Sequence, residues 1–121
     1  MTITPVTKHL TQERINCYAD ASGDHNPIHV DEAYAKATPL GGTIAHGMLV
    51  LASISEMMAA ELGEDWLRYG KLRVRFKGPT MSGDTVTPSA QETANGNYVV
   101  EVRNQDGDGV ISGTAEIAPD A

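Results

Sequence analysis

The run from His46 to Leu62 constrains the fold more than any other part of the chain. Met48, Leu49, Leu51, Ala52, Ile54, Met57, Met58 and Leu62 give it a helical apolar pattern, and Gly63 ends it. Its length and its nearly all-round apolarity through Met58 predict a buried central helix rather than a surface one. Met48 and Met57 read as core gap-fillers. After this helix the hydrophobic period drops to two. Leu72, Val74 and Phe76 alternate with Lys71, Arg73, Arg75 and Lys77, and further strands are predicted about 85–93, 98–104 and 110–117. Asn95-Gly96-Asn97 and Asp106-Gly107-Asp108-Gly109 supply the hairpin turns. A long apolar helix followed by four antiparallel strands makes an α+β domain. Pairing of the run from Thr2 to Thr7 would complete a five-stranded sheet wrapped around one helix.

Before the central helix the chain reads as short helices and turns. Thr11 is placed to cap a helix running to about Ala21, with Gln12 and Glu13 in its first turn and Ile15 and Tyr18 as its apolar pair. Asp31 caps a second, through Ala33, Tyr34 and Ala37, which must stop before Pro39. Gly41-Gly42 breaks the chain again. Between the two helices, Ala21-Ser-Gly-Asp-His-Asn-Pro-Ile-His-Val30 gathers Asp24, His25, Asn26 and His29 into six residues around Pro27, which bars one regular helix through them. A carboxylate and an imidazole five residues apart on such a turned backbone could grip one water or one substrate proton. The plainer alternative is a polar loop of turn and cap residues with solvated histidines. His25 and His29 also have the spacing of two metal ligands on a helix, but Pro27 lies between them and no Glu follows His25 as in a zincin helix.

At 121 residues the chain is read as one domain, 1–121. Sixteen acidic residues against nine basic give a net charge of −7, which argues against nucleic acid or an anionic membrane as the main partner. Cys17 is the sole cysteine, so no intrachain disulfide can form. The start Met1-Thr-Ile-Thr-Pro has neither a basic n-region nor an apolar run, and the cytoplasm is the expected compartment. No apolar stretch approaches the ~20 residues of a membrane span.

The segment Tyr18-Ala-Asp-Ala-Ser-Gly-Asp-His-Asn-Pro-Ile-His29 and the later Ile44-Ala-His-Gly-Met-Leu49 resemble the two signatures of the MaoC-like, R-specific enoyl-CoA hydratases. The first, Gly-Asp-x-Asn-Pro-(aliphatic)-His, fixes five positions in seven; the likeness anchors residues 18–56, and the remainder is compatible in length and pattern. The resemblance implies a hotdog fold and reversible addition of water to trans-2-enoyl thioesters of coenzyme A or acyl carrier protein, giving (R)-3-hydroxyacyl thioesters. It implies no cofactor and no metal.

It further implies that Asp24 and His29 are the catalytic pair and that the Gly47 N–H stabilises the enolate oxygen. An unpaired amide at a helix N-terminus suits that role, although a glycine there can equally serve helix–sheet packing. On the substrate side it points to Asn26, acting through the loop it ties together with Pro27, and to Ser55 and Met58 as acyl-pocket residues. His25 falls on the variable position, and His46 could shape the pocket or cap the helix. Arg75 and Lys77, from the basic alternation 71–77, are candidates for the phosphates of coenzyme A; the alternative is the solvated face of a half-buried sheet.

A homodimer is expected, joined edge to edge into a ten-stranded sheet. Two other functions belong to the same fold. A thioesterase would need a carboxylate on or beside the central helix, where Glu56 and Glu61 are the only acids. A non-catalytic acyl-thioester-binding subunit would lack the pair that this chain retains.

Overall fold

In the structure, a computed structural model that describes residues 2–118, two short strands, β1 (Thr2–Ile3) and β2 (Lys8–His9), precede three helices, α1 (Gln12–Ser22), α2 (Pro27–Val30) and α3 (Glu32–Lys36). The long helix α4 (Gly47–Leu62) follows, then a short α5 (Glu64–Tyr69) and four strands: β3 (Gly70–Phe76), β4 (Thr85–Glu92), β5 (Tyr98–Arg103) and β6 (Gly109–Ile117). Antiparallel pairing gives the order β1-β4-β5-β6-β3, with β2 also on β4. Of the expected run Thr2–Thr7 only Thr2–Ile3 pairs as a strand, and Lys8–His9 just beyond it adds a second short piece on β4. Thr11 accepts from the Arg14 N–H and Asp31 from the Tyr34 N–H, so both caps are where the sequence puts them.

Val50, Ile54, Met57 and Met58 bury one side of α4 against Ile3, Val86, Ala90, Val100, Val102 and Ile111 of the sheet. This is the helix-in-sheet arrangement of a hotdog fold. The sheet can close on itself only where side chains permit. A Cβ on Gly113 would lie 2.1 Å from the Arg73 carbonyl oxygen, so glycine is what lets β6 approach β3.

Two expectations about α4 need correction. A single sheet covers only one side of a helix, and here Met48, Ala52, Glu56 and Ala60 form an exposed stripe at four-residue spacing. Met48 lies on that stripe, 57% exposed, and is no core filler; Met57 is fully buried.

Candidate active site

Helix α1 stops where Gly23 turns left-handed, at φ 81°, and returns its N–H to the Ala19 carbonyl. The chain leaves in a new direction at Asp24. Two side-chain turns follow in series: Asp24 Oδ1 accepts from the Asn26 N–H at 3.2 Å, and Asn26 Oδ1 accepts from the Ile28 N–H at 3.1 Å. Pro27 occupies the first position of α2, where a missing N–H removes no helical bond. The segment read as loop therefore contains a helical turn, because the proline that ends one helix begins the next.

That turn carries His29 back over Asp24. His29 Nε2 lies 3.9 Å from Asp24 Oδ2, too far for a direct hydrogen bond. The other nitrogen, Nδ1, is 2.9 Å from the Ile44 carbonyl oxygen. A carbonyl only accepts, so Nδ1 carries the proton, and in the neutral ring Nε2 is left with its lone pair facing Asp24. Two acceptors at this separation can share one water that donates a proton to each. The buried side of the pair is fixed from three directions. Gln12 Nε2 donates to the His29 carbonyl at 2.8 Å while its Oε1 accepts from Thr43 Oγ1 at 2.6 Å, and the Ile44 N–H donates to the Ile28 carbonyl at 3.1 Å.

Beneath the pair lies His46, 3% exposed. Its Nε2 is 2.9 Å from the Asp24 backbone oxygen, its ring stacks on His29 with centroids 3.8 Å apart and planes 24° apart, and Tyr18 meets it edge-on at 4.8 Å. His46 makes no side-chain cap bond to α4, which settles one of its two sequence readings. His25 points elsewhere: its Nε2 pairs with Asp20 Oδ1 at 2.9 Å, and that hydrogen bond raises its pKa above the usual imidazole value. Asp24, His29 and His46 offer atoms within 4.8 Å of one another, close enough to suggest a metal. The stacking opposes it. An imidazole binds a metal in its ring plane, and two planes stacked 3.8 Å apart at 24° meet well beyond bonding distance of either nitrogen.

Helix α4 begins one residue after His46, so the Gly47 amide sits next to the pair among first-turn donors that lack an intrahelical acceptor. A Cβ there would lie 3.0 Å from Phe76 Cε1, so the glycine also admits that ring against the helix start. Beside it a cavity of about 180 Å³ is lined chiefly by Ile44, Val50, Phe76, Pro79, Val110 and Ile111.

The other sequence candidates stand apart from this cluster. Asn26 spends its side chain capping α2. Ser55 lies about 12 Å along α4 from Gly47 at 1.5 Å per residue, and its hydroxyl accepts from the Trp66 indole at 3.0 Å. Met58 is fully buried in the core. Arg75 shares a shallow groove on the sheet with Arg73, Ser112 and Thr114, and Lys77 follows the end of β3; neither lines the cavity. Sequence reasoning missed Gln12 and Ile44 as supports of His29. Gln12 lies outside both signatures and Ile44 opens the second, but spacing gives no sign of either contact, since both span 15 residues or more.

The family model described as MaoC like domain matches residues 2–114. The chain is 42% identical over 81 residues to 3-hydroxyacyl-thioester dehydratase Z of Mycobacterium tuberculosis, covering 64% of this chain and 54% of that protein. It is 36% identical over 88 residues to the (R)-specific enoyl-CoA hydratase of Rhodospirillum rubrum, covering 73% and 61%. It therefore spans little more than half the length of the curated relatives it matches. Among solved structures it resembles R-hydratase PhaJ1 of Pseudomonas aeruginosa, with TM-score 0.83, 30% identity and 100% and 81% of the two chains covered. The (R)-hydratase of A. caviae shares the fold, with TM-score 0.81, 22% identity and 97% and 94% covered.

Proposed function

The chain belongs to the MaoC-like domain family, and from that premise we propose that it adds water reversibly to trans-2-enoyl thioesters of coenzyme A or acyl carrier protein, giving (R)-3-hydroxyacyl thioesters. The observation that carries this reading is the 3.9 Å gap between Asp24 Oδ2 and His29 Nε2, with Nδ1 of the same ring held by Ile44. Water held by two acceptors keeps its oxygen lone pairs free. That oxygen bonds to C3 as the C2=C3 π pair moves toward the thioester carbonyl, the Asp24/His29 pair takes the water proton, and the pair then returns a proton to C2. Negative charge on the thioester oxygen is met by the Gly47 N–H at the positive end of α4. No cofactor enters the scheme. The apolar cavity beside Gly47 would receive the acyl chain. Glu56, which a thioesterase would need facing the site, is exposed and paired with Lys8 at 2.7 Å.

The functional unit we infer is a homodimer. Among the described residues β3 pairs only with β6, and the strand at this open edge ends in Phe76, 51% exposed, which lines a cavity too small for most ligands. A second copy added at that edge would enlarge the sheet and finish the wall. No helix of the described residues is long and apolar enough to cross a membrane. We assign the protein to the cytoplasm, where an exposed free thiol such as Cys17 stays reduced.

The test is a spectrophotometric assay with crotonyl-CoA and longer trans-2-enoyl-CoAs, followed by chiral analysis of the product. Loss of the conjugated-thioester absorbance with an (R)-3-hydroxy product is expected. Release of free thiol without hydration would overturn the reading in favour of thioester hydrolysis.

A further inference from the structure

We propose that His46 is a positioning residue for the Asp24/His29 pair, holding the Asp24 main chain through one ring nitrogen and the His29 ring through one face; the proposal rests on the hydration reading above. The two contacts come from one side chain. Nε2 faces a carbonyl oxygen at 2.9 Å and must be the protonated nitrogen, so the Asp24 backbone is tethered to the start of α4. On the same ring, the face 3.8 Å from His29 sets the height and tilt of that imidazole over Asp24. Because Asp24 and His29 make no direct bond, their separation is set by what holds each of them. Among the described residues, His46 is the one side chain that both hydrogen-bonds the Asp24 main chain and stacks on the His29 ring.

The remaining nitrogen shows that packing alone does not explain the residue. His46 Nδ1 is the only buried side-chain nitrogen or oxygen among the described residues with no hydrogen-bond partner. A phenyl ring would fill the same space and stack on His29 without stranding an acceptor, and a glutamine would reach the Asp24 carbonyl without stacking. Histidine is the side chain that does both. The stranded lone pair is the cost of having a ring that also donates. Tyr18 packs edge-on against the same ring from α1, with centroids 4.8 Å apart.

The test compares His46→Phe with the unaltered protein in crotonyl-CoA hydration and in native-state amide exchange. The Phe variant keeps the stack and loses the tether. Its kcat should fall about 10–100-fold, the scale of a sub-ångström to ångström misplacement, while KM changes by no more than about 3-fold. Exchange of the Asn26 amide, which donates to Asp24 Oδ1, should quicken about tenfold with α4 amides unaffected. A kcat within about 2-fold of the unaltered protein, or one reduced only in proportion to the folded fraction seen by circular dichroism, would overturn the proposal. If His46→Phe does not fold, His46→Gln decides: it keeps the donor but not the stack, so Asn26 exchange should stay unchanged while kcat falls, and an unchanged kcat overturns the proposal. Failure of the unaltered protein to hydrate any enoyl-CoA would count against the hydration reading alone, and the exchange measurement would still judge the tether.

Discussion

At the scale of single residues the pair is asymmetric: the Asp24 side chain is 54% exposed and that of His29 12%. The ring is locked by Ile44 and stacked on His46, whereas among the described residues the carboxylate is steered by its one bond from the Asn26 amide. Asp24→Asn keeps an oxygen to accept that amide, so the turn should survive while one acceptor for the water is lost. His29→Ala removes the other acceptor. Each change should lower kcat by at least ~100-fold with the fold intact by circular dichroism. The two members were legible in the sequence because a short turn places them five residues apart. Their supports were not. Gln12 and His46 hold main-chain carbonyls 17 and 22 residues away, and Ile44 lends its own carbonyl to a ring 15 residues away; such contacts leave no periodic trace.

At the scale of elements, period revealed the long pieces and the Asp31 cap revealed α3, while α2 and α5 stayed hidden. Alternation placed β3 to β6 within a residue or two, and the turns Asn95-Gly96 and Asp106-Gly107 set their ends, with Gly96 and Gly107 left-handed at φ 84° and 81°. Helices α2 and α5 span four and six residues, too few to show a 3.6-residue period. Missing α5 had a consequence for Ser55. The family resemblance makes it an acyl-pocket residue, and α5 is what supplies the Trp66 indole that donates to its hydroxyl. The close approach of β6 to β3 gives this scale its prediction. Gly113→Ala puts a methyl group against backbone that cannot rotate away, so the edge strand must shift as a whole. Destabilisation of about 3 kcal/mol or more is expected in urea unfolding, at the upper end of overpacking effects. A change under about 1 kcal/mol would mean that β3 is far more mobile than its seven paired residues suggest.

For the molecule as a whole, the proposed homodimer would tie assembly to activity, because among the described residues the β3 edge is open and the cavity beside Phe76 is small. A homodimer should be seen by sedimentation, and dilution should abolish hydration together with dimer mass. A fully active monomer would contradict the pairing at β3. The proposed hydration depends on two acceptors holding one water. The most direct test of that claim is kcat of the double variant Asp24→Asn/His29→Ala beside each single variant, in crotonyl-CoA hydration. If one water is shared, removing either acceptor already loses it, and the double variant should be about as slow as the slower single one. If the two losses instead multiply, Asp24 and His29 act on separate steps and the shared-water account is contradicted.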